Sequence, residues 1–141
     1  MRDHNNCRRR DRRREAIEMI RRGLREGERC LNRIRKGLEE ICRGEICNGV
    51  HSLECGIRGL SAALRCIAEG EAILHSIGCC EGTGCIREGL CLCQKGLCEC
   101  VRSLADIRRC CKEEGIRRIK EGICRIEEGL KLICEGLRCV E

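Results

Sequence analysis

Eighteen of the 141 residues are cysteine, about one in eight, so thiol chemistry is the first possibility to weigh. A thiolate can act as a nucleophile, as a soft-metal ligand or as half of a disulfide. Spacing helps to choose among these. The densest stretch holds Cys79, Cys80, Cys85, Cys91, Cys93, Cys98 and Cys100. Within it two C-x-C pairs, Cys91/Cys93 and Cys98/Cys100, lie seven residues apart. Read as loop, these seven thiols could share Cu(I) or Zn²⁺ as neighbouring thiolates do in metallothionein. Read as helix, residues i and i+2 point about 160° apart. Cys93 and Cys100 would then face inward, and Cys91 and Cys98 outward. The seven-residue phase favours the helix.

Other constellations are weaker. The zinc or redox spacing C-x-x-C is absent, as is the haem-attachment sequence C-x-x-C-H. Three histidines precede cysteines closely: His4 and Cys7, His51 and Cys55, His75 and Cys79. A four-residue helical spacing can place His and Cys on one metal ion, but so many cysteines produce such neighbours by chance. Ser52 adjoins His51 and Ser76 adjoins His75. Adjacent helical residues do not face each other, and no third group completes a triad. The chain is therefore not expected to be an enzyme.

The elements that carry the thiols are helical. From Gly115 to Glu141 glycine recurs every seventh residue, at 115, 122, 129 and 136. Each is followed by an aliphatic (Ile116, Ile123, Leu130, Leu137) and, three residues later, by another (Ile119, Ile126, Ile133, Val140). That three-and-four alternation is a heptad seam with aliphatics at a and d and glycine at g. The same plan predicts helices over about 15–43, 50–77, 85–110 and 115–140. Residues 44–49 read as a turn, Gly78–Gly84 as the clearest break, and Cys111–Glu114 as a tight connection or a kink where the seam slips. Glu71 interrupts the second seam. The expectation is all-α: a glycine-rich antiparallel four-helix bundle, closely packed and disulfide cross-linked, spanning 15–141 as one domain.

A helical glycine costs about 1 kcal/mol relative to alanine, so its repetition beside the seam needs an offset. Close helix approach supplies one, and Gly23, Gly37, Gly56, Gly89, Gly96, Gly122, Gly129 and Gly136 are the positions expected to provide it. Disulfides, typically worth about 2–4 kcal/mol, supply another. The absence of Trp, Tyr, Phe and Pro fits a core of Leu, Ile, Val, Ala and Cys in unbroken helices.

Heptad phase spreads the cysteines over several faces rather than concentrating them in a lumen. Cys7, Cys55, Cys91, Cys98, Cys124 and Cys139 are candidates for bonds between subunits. Cys30, Cys42, Cys93, Cys100, Cys110, Cys111 and Cys134 are candidates for bonds within the chain. The alternative is a thiolate site for Cu(I) or Zn at the seven cysteines from Cys79 to Cys100; otherwise no cofactor is expected.

The net charge of +6 is uneven. Residues 1–15 hold seven Arg against Asp3, Asp11 and Glu15, and the remainder is nearly balanced. Residues 1–14 read as an irregular basic arm carrying Cys7, better suited to docking on a neighbouring subunit than to nucleic acid, since no aromatic can stack on bases. No apolar run reaches the length of a membrane span. The N-terminal MRDHNNCRRR lacks the apolar core of a secretory signal, so synthesis in the cytosol is expected. Cytosolic thiols are normally held reduced, which conflicts with a disulfide framework.

In this cysteine-rich composition the chain resembles the structural proteins of bacterial spore coats, exosporia and spore appendages. That resemblance implies synthesis without a signal peptide, assembly with copies of itself, later oxidation, and a final location at the spore surface or outside the cell. The expected function is a self-assembling structural protein forming a filament, layer or coat.

Overall fold

The computed structural model describes residues 2–79 and 81–141, with side chains from Asn6 onward; Cys80 and the His4 side chain lie outside the described residues. Four helices follow one another: α1 (Arg2–Cys42), α2 (Ile46–Ser76), α3 (Thr83–Arg108) and α4 (Lys112–Val140). Successive helices run antiparallel, and α4 returns beside α1 to close the bundle. Helix α1 packs mainly on α2, and α3 mainly on α4; narrower seams join α1 to α4 and α2 to α3. The molecule is thus two tight hairpins laid side by side.

Small residues explain the tightness within each hairpin. Gly37 faces Gly49: a methyl group built on either would lie 2.9 or 2.8 Å from the other's carbonyl oxygen. In the second hairpin the equivalent distances are 2.6 and 2.7 Å for Gly96 and Gly122. Seven of the eight glycines expected to mediate close packing meet a partner-helix carbonyl oxygen in this way, and Gly136 meets that of Gly82, just before α3. Only hydrogen fits there, so the two backbones touch and the aliphatic side chains close over the contact. Ile133 covers Gly89, Ile126 covers Gly96, and Ile34 covers Gly56. Ile20, Ile34, Ile41, Leu53, Leu60, Ile67, Ile86, Ile119 and Ile126 are among the side chains fully removed from water.

The hairpins follow one plan. A shift of 66 residues carries Gly23, Gly49, Gly56 and Gly70 onto Gly89, Gly115, Gly122 and Gly136. It also carries Leu24, Leu31, Leu38 and Ile41 onto Leu90, Leu97, Leu104 and Ile107. The turn glycine Gly44 falls on Cys110.

Several boundaries differ from those read in the sequence. The basic segment is not an irregular arm but the first turns of α1. It contains no glycine or proline, and arginine is a good helix former. Gly49 is not a turn residue; it is buried inside α2, and the turn shrinks to residues 43–45. Its role is closeness to Gly37, which in sequence looks the same as a turn glycine. The connection before α4 is a true turn at residues 109–111, not a kink.

Ion pairs flank the seams between hairpins. Arg21 reaches Glu141 at 2.8 Å and Arg35 reaches Glu127 at 2.5 Å across α1/α4. Across α2/α3, Arg87 meets Glu71 at 2.6 Å, which satisfies the acid that interrupts the second seam. No helix is long and apolar enough to cross a membrane among the described residues.

Candidate functional site: the thiols and the two ends of the bundle

The C-x-C pairs lie on α3, and helix phase sends their members in opposite directions. Cys93 and Cys100 are fully buried, whereas Cys91 and Cys98 are exposed. Cys93 Sγ sits over Gly129 and donates to the Ile126 carbonyl oxygen at 3.6 Å; Cys100 Sγ sits over Gly122. These are the positions that isoleucine fills above other glycines, so both thiols serve as small apolar core groups. Burial pushes the Cys93 thiol up to about 12, and burial together with the nearby Glu99 charge pushes Cys100 up to about 12. A thiol so reluctant to ionise is a poor nucleophile and a poor partner in disulfide exchange. Cys30 is shifted in the same direction, first by burial and then by Glu26.

The remaining described thiols are accessible to different degrees. Nine are exposed: Cys7, Cys42, Cys47, Cys91, Cys98, Cys110, Cys111, Cys124 and Cys139. Six are half-buried: Cys30, Cys55, Cys66, Cys79, Cys85 and Cys134. All seventeen described cysteines are unpaired thiols in this structure. Of the residues read as candidates for bonds between subunits, all but Cys55 are exposed. Of those read as candidates for bonds within the chain, Cys42, Cys110 and Cys111 are exposed at the turns. Cys47, within the stretch 44–49 read as a turn, is exposed there with them.

Among the described residues no group of three or more His, Cys, Asp or Glu side chains converges as a metal site would require. His51 Nε2 lies 3.7 Å from Cys55 Sγ, a single helical pair without further ligands. The serines beside histidine have other partners. Ser52 Oγ donates to Glu40 at 2.7 Å, and Ser76 Oγ donates to the Ile73 carbonyl at 2.8 Å.

The two ends of the bundle differ in charge and in construction. At the end that holds the start of α1, the end of α4 and the α2–α3 connection, here the open end, Arg9 Nε donates to the Ile77 carbonyl at 2.8 Å, and Arg12 reaches Ser76 at 3.3 Å. Arg13 donates to the Val140 carbonyl. The last carbonyls of a helix lack partners and carry partial negative charge, so the basic turns of α1 cap the ends of both α2 and α4. Sequence spacing cannot show this, because the partners are more than sixty residues away. At the opposite end lie the turns at 43–45 and 109–111. Three glycines take positive φ in the connections, Gly44 (87°), Gly78 (79°) and Gly82 (82°); among the described residues Cys110 is the one non-glycine to do so, at 65°.

Compared with protein-family models, curated proteins and solved structures, the chain matches none.

Proposed function

We propose that this chain is a structural protein that assembles with copies of itself and is fixed by disulfides between chains. The observation that carries the reading is the placement of its thiols. Nine are exposed, spread over all four helices and both ends of the bundle. An exposed thiol on a rigid helix can find a partner only on another molecule unless a second thiol lies beside it. The apolar heptad seam is meanwhile filled by aliphatics, leaving no lumen of thiolates for stored metal. The composition-level resemblance to spore-coat, exosporium and spore-appendage proteins supports the same reading. It offers a setting in which cytosolic synthesis is followed by oxidation, at the spore surface or outside the cell.

The test is electrophoresis of natively produced protein, alkylated at lysis and run without reductant. A ladder of multimers that collapses to a 16 kDa band on reduction is expected. A single monomer band before reduction would overturn the proposal.

A further inference from the structure

Four features of the two ends bear on how one copy meets the next. First, α1 overhangs the end of α2. Among the described side chains, the bond nearest its start is from Arg9 to the Ile77 carbonyl just past α2, and the helix continues back to Arg2, roughly 10 Å further at 1.5 Å per residue. Cys7 is exposed on that overhang. Second, the turn end gathers Cys42, Cys47, Cys110 and Cys111, all exposed.

Third, the ends differ in charge. The open end presents Arg8, Arg10 and Arg14 beside the capping Arg9, Arg12 and Arg13, against Asp11, Glu15, Glu81 and Glu141. The turn end is nearly balanced, with Glu39, Glu45, Glu113 and Glu114 beside Arg43, Arg109 and Lys112. Two basic ends pressed together repel; a basic end on the nearly balanced turn end meets Glu45 and Glu113, with Glu39 and Glu114 already paired to Arg43, Arg117 and Arg118. Fourth, Cys110 stands in the left-handed turn where the first hairpin has Gly44. A Cβ is disfavoured there, so the second hairpin keeps a side chain where glycine would fit the backbone better.

We infer that copies join head to tail, the basic overhang of α1 in one copy resting on the turn end of the next, with a disulfide from Cys7 to Cys110. This inference rests on the self-assembly proposed above. In bond formation the two thiols lose two protons and two electrons to a small-molecule disulfide, which departs as two thiols. Contact between unlike ends leaves one free basic end and one free turn end after every addition until a ring closes, so the assembly is polar and grows beyond a dimer.

The test mixes isotopically light and heavy full-length protein, oxidises it with a small-molecule disulfide and maps the linked peptides by mass spectrometry. The expected product is a mixed light–heavy peptide joining Cys7 to Cys110. Two variants accompany it. Cys7→Ser should lose that peptide. Cys110→Gly should lose it as well while melting at the same temperature or higher, because glycine suits the turn. Linkage of Cys7 to Cys7, linkage of Cys110 to Cys110, or a bond from Cys110 to Cys42 or Cys111 of its own chain would overturn the head-to-tail arrangement. Peptides linked between chains elsewhere would defeat this inference alone. The absence of any linkage between chains would defeat the proposed function with it.

Discussion

A thiol reacts through its thiolate, and burial withholds the thiolate from Cys93 and Cys100. Both have folded-state pKa values near 12, against about 9 for an unperturbed thiol. Between those values the folded protein keeps protons that the unfolded chain has lost. Stability is therefore fully present below pH 9 and falls as pH rises toward 12. The double variant Cys93→Ala/Cys100→Ala should be less stable at neutral pH, because each truncation leaves a small cavity. It should also show a shallower alkaline decline, as measured by denaturant unfolding from pH 8 to 11. An unchanged slope would mean that other groups set the alkaline limit. At this scale much was legible: the seven-residue phase of the C-x-C pairs predicts which thiols turn inward. The arginine caps were not, because Arg9 and Arg13 find carbonyls that only the folded chain brings near.

Paired helices in this protein are held at backbone contact by glycine, and two alanine substitutions separate that role from helix propensity. A methyl group at Gly129 would lie 2.5 Å from the Gly89 carbonyl oxygen, whereas nothing lies within 4 Å of one at Gly84. Gly129→Ala gains about 1 kcal/mol in helix propensity but must push α3 and α4 apart, at about 1–3 kcal/mol for overpacking. It should lower stability. Gly84→Ala meets no neighbour and should raise stability by up to about 1 kcal/mol. Thermal or denaturant unfolding of the two variants checks both signs. The helices themselves were readable from aliphatic spacing, but their ends were not. Gly49 carries the same letter whether it turns the chain or lies against Gly37, and a basic run with no aliphatic seam gives no periodic sign of being helical.

Two copies of one hairpin plan make the whole molecule, and this larger repeat is harder to read than the seven-residue one within it. The shorter period recurs along the whole chain and hides the 66-residue offset, which becomes clear once each glycine is matched to the partner it faces. The resulting bundle has a sealed aliphatic interior and a surface studded with thiols, and the proposed assembly depends on that division. Its most direct test is a residue-by-residue thiol inventory of natively assembled protein. Free thiols are blocked under denaturing conditions with a chelator, disulfides are then reduced and labelled differently, and each site is read by mass spectrometry. Cys93 and Cys100 are expected to carry the free-thiol label, and Cys7, Cys91, Cys98, Cys110, Cys124 and Cys139 the disulfide label. Free thiols at all of these exposed positions would contradict it.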